Sequence, residues 1–197
     1  MNLPNKLTVF RIILVFVMVV FSFLYIPGEF LGVPIVFWVL DFIFILASIT
    51  DKLDGYLARK NNQITTFGKF ADPLADKILV LTAMLLLVQD GRLPAVIPII
   101  VLIREFVVSG YRLIAVEKGG MVIAANIWGK LKTVTQMLAI ILAFVDVNSF
   151  GAIFSGDING FAFVLNLLST SLMTISTIAT IFSGWSYVKE GKDLFKE

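Results

Sequence analysis

Six apolar stretches follow one another along this chain, near 6–26, 34–60, 68–89, 95–117, 127–146 and 161–188. About 20 apolar residues are what a helix needs to cross a bilayer. In lipid the backbone must satisfy its own hydrogen bonds, which restricts such stretches to helices or a closed barrel. Segments such as 12–26 and 96–103 are apolar all round, the mark of a membrane or buried helix rather than a surface one. Pro27 with Gly28, Asp90 with Gly91, Gly119 with Gly120 and Ser155 with Gly156 mark the breaks. Only 15% of the residues are charged and 58% are hydrophobic, with a mean hydropathy of +0.94. Soluble domains run nearer a quarter charged. The pattern predicts an all-α polytopic membrane protein, a single domain over 1–197 with six transmembrane helices and a short N-terminal interfacial helix.

The interfacial helix is read from residues 2–11, where Leu3, Leu7 and Phe10 share a face opposite Asn5 and Thr8. Lys6 and Arg11 ahead of an apolar run imitate a signal peptide, but no small-x-small cleavage site follows Ile26, so an uncleaved first span is expected. Six spans put both termini on one side. With both termini cytoplasmic, only Arg92 of the sixteen Lys and Arg falls outside, an asymmetry that fixes the orientation in a cell membrane. The net charge of +2 implies no nucleic-acid partner; the lipid bilayer is the partner implied by composition.

The chain has neither Cys nor His. Thiolate and imidazole nucleophiles, Ser-His triads and nitrogen- or sulfur-bound zinc are therefore excluded. Any metal must be held by oxygen, which points to a hard cation such as Mg²⁺ or Mn²⁺.

Between 51 and 76 the apolar pattern is interrupted by Asp51, Asp54, Gly55, Ala58, Arg59, Gly68, Asp72 and Asp76. Ionisable residues are costly in membrane helices and mark functional sites by default. At about 100° per residue, Asp51, Asp54, Gly55, Ala58 and Arg59 share an arc of roughly 140° on the second helix, and Gly68, Asp72 and Asp76 form a stripe on the third. A short turn over 61–66 makes these helices antiparallel neighbours. Four facing carboxylates repel unless a positive charge sits among them. One or two divalent cations answer that need, and a pair about 4 Å apart can clamp a diphosphate. The structural alternative pairs the acids with Lys52, Lys77 or Arg59.

The string resembles the signature of the CDP-alcohol phosphotransferase family at every fixed position. A chance match at all eight is expected on the order of once in 10⁹ windows. The resemblance implies two divalent ions on Asp51, Asp54, Asp72 and Asp76, with Asp76 also the general base. It places Gly55, Ala58 and Arg59 in the CDP-diacylglycerol pocket, adds Thr65 from the intervening turn, and puts Asn5 and Thr8 near the diphosphate. For Asn5 a helix N-cap role fits as well. A homodimer is usual in the family.

Downstream, Arg104 and Arg112 lie on nearly one face of the fourth helix, and Lys130 and Lys132 open the fifth. Cations so placed suit an acceptor that carries its own phosphate; the structural alternative is a buried Arg104 paired with Glu105 or a carboxylate of the second helix. Within the family, Arg104, Glu105 and Phe106, residues 129–133, and the opening Asn5, Lys6, Leu7 and Thr8 with Arg11 resemble members whose acceptor is glycerol 3-phosphate. The reaction implied is direct displacement of CMP from CDP-diacylglycerol. The alternatives are the same chemistry with inositol phosphate, inositol or serine, and a divalent-cation channel or carrier. Asp41 has no role in this reading, and Asp146 and Asp157 read as solvated outer-loop residues.

Overall fold

In a computed structural model of the protein, residues 2–60, 65–117 and 127–190 are described. Helix α1 (Leu3–Ser22) starts where the Asn2 side chain accepts from the Asn5 N–H, with Pro in the first turn, where its missing donor costs nothing. A two-residue hairpin follows: β1 (Glu29–Phe30) pairs antiparallel with β2 (Val33–Pro34). Leu31 and Gly32 turn between them, both with positive φ, as a type I′ turn demands. Helix α2 (Ile35–Lys60) leaves directly from β2. Helix α3 (Thr66–Gln89) is capped by Thr65, whose hydroxyl accepts from the Gly68 N–H. Helices α4 (Val96–Glu117), α5 (Ile127–Val145) and α6 (Gly160–Glu190) complete the chain, with a 3₁₀ turn at Ala152–Phe154 before the last.

Two compact units are formed, Met1–Arg92 with Ile141–Ser149, and Leu93–Ile140 with Phe150–Glu197. In the first, α1 packs on α2 and α3, and Met18, Phe44, Ala47, Leu79, Ala83, Met84 and Leu87 are buried among them. Arg92 ties down the end of this unit. It pairs with Asp90 at 2.5 Å, donates to the carbonyls of Phe144 and Asp146 at 3.0 Å each, and stacks on Phe37. In the second unit α4 packs against α6, with Val101, Val108, Met173 and Ala179 buried and Trp128 stacked on Phe182.

The predicted helices all form, with boundaries within a few residues of those expected. The separate interfacial helix does not: α1 runs unbroken from Leu3 to Ser22, because Asn2 and Pro4 start it and no Gly or Pro breaks it between the amphipathic stretch and the apolar run. Asp146 is not a solvated loop residue either. It is buried and its carboxylate accepts from both nitrogens of Asn148, each at 3.0 Å. Asp157 is exposed, as expected. Three helices among the described residues, Leu3–Ser22, Ile127–Val145 and Gly160–Lys189, are long and apolar enough to cross a membrane. Helices α2, α3 and α4 are as long but are interrupted by more ionisable residues, so composition alone does not make spans of them. The turn residues 61–64 and the break at Gly119 and Gly120 lie outside the described residues.

Candidate active site

The acidic string folds around a polar stripe on α1. Asn5, Thr8 and Arg11 are spaced three apart, so they rise along one side of the helix, and all three are buried. Each meets a different part of the string. Arg11 Nη1 pairs with Asp51 Oδ1 at 2.9 Å, and Nη2 pairs with Asp54 Oδ2. The Thr8 hydroxyl donates to Asp72 Oδ1 at 2.6 Å. Asn5 Oδ1 accepts from the Thr65 hydroxyl at 2.8 Å. Asn5 is therefore not an N-cap; Asn2 holds that position, and Thr65 caps α3.

Gly68 has a concrete steric duty in this arrangement. A Cβ on it would stand 3.2 Å from Asn5 Oδ1, 3.2 Å from Thr65 Oγ1 and 3.6 Å from Asp72 Oδ2. A side chain there would crowd Asn5 Oδ1 and Thr65 Oγ1, which would have to give by a few tenths of an ångström, while it would meet Asp72 at ordinary contact distance.

Asp51, Asp54 and Asp72 are gathered closely enough that Asp54 feels the charges of Asp51, Asp72 and Arg11. Asp76 follows Asp72 by one turn and is half-buried. Gly55 sits beside Asp54 on α2, half-buried. The side chains of Ala58 and Arg59 lie outside the described residues. Among the described residues no three carboxylates close on one point as a ready-made cation cage. The donor set nevertheless fits a hard divalent ion, being all oxygen and carrying more negative charge than Arg11 balances. Arg11 itself is 0% exposed, and removing one member of such a buried pair costs about 3–5 kcal/mol.

The cations of the second unit form their own network. Arg104 Nη1 and Lys132 Nζ both donate to Glu105 Oε1, each at 2.8 Å. Arg104 Nη2 donates to the Ser183 hydroxyl at 2.6 Å, and Arg112 Nη2 to the Tyr187 hydroxyl at 2.9 Å. The Tyr187 ring has both guanidinium groups over it, at 5.9 Å and 5.6 Å. Gly184 lets the Arg104 stem pass, since a Cβ there would lie 3.3 Å from Arg104 Cγ. Arg104 Nε is buried with no partner among the described residues. Lys130 is exposed and outside this network.

The sequence reading missed Arg11 as a site residue, and it missed Ser183 and Tyr187 altogether. For the last two the sequence shows only that Ser176, Thr180, Ser183 and Tyr187 recur at helical spacing in an apolar helix; the structure buries all four. Arg11 was visible as a lone cation inside an apolar span, which demands a partner.

Comparison with known proteins gives the family. The sequence profile of the CDP-alcohol phosphatidyltransferase family matches residues 1–183, so the chain belongs to that family, as its acidic string implied. A Bacillus subtilis relative is 36% identical over 99% of this chain and 97% of its own length. One from Rickettsia typhi is 34% identical over 98% and 99%, and one from Haemophilus influenzae 36% over 97% and 94%. All three bear the name CDP-diacylglycerol–glycerol-3-phosphate 3-phosphatidyltransferase. The three apolar helices and this lipid-handling family make the chain a membrane enzyme, of a family that is generally dependent on divalent metal.

Proposed function

We propose that this protein transfers the phosphatidyl group of CDP-diacylglycerol to glycerol 3-phosphate, giving phosphatidylglycerophosphate and CMP. The observation that carries the reading is the gathering of Asp51, Asp54 and Asp72 on the Asn5, Thr8 and Arg11 stripe, in a chain whose relatives of near-equal length carry that reaction in their names.

The roles follow from the chemistry of the side chains. Asp51, Asp54, Asp72 and Asp76 would hold two divalent ions, Mg²⁺ or Mn²⁺, which when bound supply positive charge to the donor diphosphate. Gly55, Ala58, Arg59 and Thr65 line the nucleotide pocket, with Asn5 and Thr8 holding the polar side of the centre. Arg104 and Arg112 bind the acceptor phosphate. Lys132 holds Glu105, which keeps Arg104 in place, and exposed Lys130 adds charge. Asp76 takes the proton of the acceptor hydroxyl as its oxygen bonds to the lipid-linked phosphorus. The bond from that phosphorus to the bridging oxygen breaks, and CMP leaves with the electron pair.

This reading takes 1–197 as one catalytic domain with six spans, both termini and the acidic centre cytoplasmic, working as a homodimer. A cysteine at Asn62 should then react only from the cytoplasmic side and one at Gly91 only from outside; the reverse pattern would overturn the orientation. The activity is tested by incubating purified protein with CDP-diacylglycerol, Mg²⁺ and glycerol 3-phosphate, inositol phosphate, inositol or serine, and following CMP release. Glycerol 3-phosphate should be the best acceptor. Serine or inositol surpassing it would reject the acceptor assignment and leave the reaction class standing.

A further inference from the structure

Arg11 stands in the middle of an apolar helix, 0% exposed, with its two terminal nitrogens divided between Asp51 and Asp54. A guanidinium is always charged, and its fork can bind two carboxylates at once. Asp54 is 3% exposed and Asp51 33% exposed, so the arginine closes the inner side of the pair and leaves Asp51 open on the other. These are two of the four carboxylates assigned to metal. Two like charges one turn apart on α2 would repel in a low-dielectric setting if nothing balanced them. The family's metal is one way to balance them, and Arg11 is another that is always present.

We propose that Arg11 is the built-in counter-cation of the acidic centre. It holds Asp51 and Asp54 together while the protein is metal-free, and it competes with the divalent ion for the same two carboxylates, so it sets how tightly that ion binds. Two of the four carboxylates are thus already engaged by the arginine. Arg11 is a positioning residue in this account, acting on donor chemistry through Asp51 and Asp54. The inference rests on the metal-dependent reading above.

The test compares wild type with Arg11→Met in detergent, by melting temperature with chelator and with saturating Mn²⁺, and by Mn²⁺ titration followed by electron paramagnetic resonance. In chelator the variant should melt well below wild type, and Mn²⁺ should close most of that gap, because the ion replaces the missing charge. The Mn²⁺ Kd of the variant should be lower than that of wild type by about tenfold or more, since a competing cation is gone. An equal melting deficit with and without Mn²⁺, or an Mn²⁺ affinity that is unchanged or weaker, would make Arg11 a plain cross-link of α1 to α2 and overturn the proposal. Should Arg11→Met fail to fold, Arg11→Met with Asp54→Asn removes one charge of each sign and should restore a folded protein; failure of both variants to fold also overturns it. Wild type that binds no Mn²⁺ would instead refute the metal-dependent reading itself.

Discussion

The two units carry candidate sites of opposite sign, each built around one counter-ion of its own. On α1–α3 Arg11 is held between the carboxylates of Asp51 and Asp54, while in the second unit Arg104 and Lys132 share Glu105. Hydroxyl groups serve both, in opposite senses. Thr8 donates its proton to Asp72, whereas Ser183 and Tyr187 accept from Arg104 and Arg112. A hydroxyl can do either, so it steadies a charge of whichever sign it meets without adding one. The lesson is that each unit fixes its charged groups internally and still keeps an excess of one sign. On the proposed reading the first would take a cation and the nucleotide that comes with it, the second a phosphate.

The largest expected effects break the acidic side. Asp76→Asn, Asp51→Asn and Asp72→Asn should each lower CMP release by more than about a hundredfold while the protein stays folded, because the amide keeps the volume but loses the charge and the proton acceptor. Near-normal turnover of Asp76→Asn across pH would remove the general-base role. Chelation should likewise abolish CMP release and either Mg²⁺ or Mn²⁺ restore it, since no His or Cys offers another ligand. Full turnover in excess EDTA would return these carboxylates to a structural role.

The basic side should respond more mildly and on one substrate only. Arg104→Gln or Arg112→Gln removes a charged hydrogen bond of about 1.5–3 kcal/mol, a fall of roughly 10- to 150-fold in kcat/KM for glycerol 3-phosphate. Glycerol without phosphate should be a poor acceptor for every one of these variants and lose little further. Tyr187→Phe is the gentlest change, since it keeps the ring under both guanidinium groups and loses only the hydroxyl that accepts from Arg112. It should raise the KM for glycerol 3-phosphate about two- to tenfold. No change would mean that the ring alone holds the arginines.

How legible each region was in the sequence follows from how local its determinants are. The helices were readable because apolar runs and Pro or Gly breaks act within a few residues, and the acidic string because its spacing is that of a helix face. The partner of the counter-ion was not readable. Arg11 reaches Asp54 across 43 positions, a pairing that only the packing of α1 on α2 decides. Tyr187 and Ser183 were hidden for a different reason, since a hydroxyl in an apolar helix looks like ordinary packing until an arginine from another helix finds it. Asp146 was misread because its burial depends on Asn148 and on Arg92, which arrives from the far end of α3. Asp41 is buried with Oδ1 unpartnered among the described residues, and nothing in the structure explains it.

The division of labour between the two sites is tested most directly by titrating both substrates of CMP release on Gly68→Ala beside Arg104→Gln. The added methyl should crowd Asn5 and Thr65, raising the KM for CDP-diacylglycerol and leaving that for glycerol 3-phosphate nearly unchanged. Arg104→Gln should do the opposite. Both variants shifting both substrates alike would contradict the account, because the two clusters would then act as supports of one fold and not as separate sites for donor and acceptor.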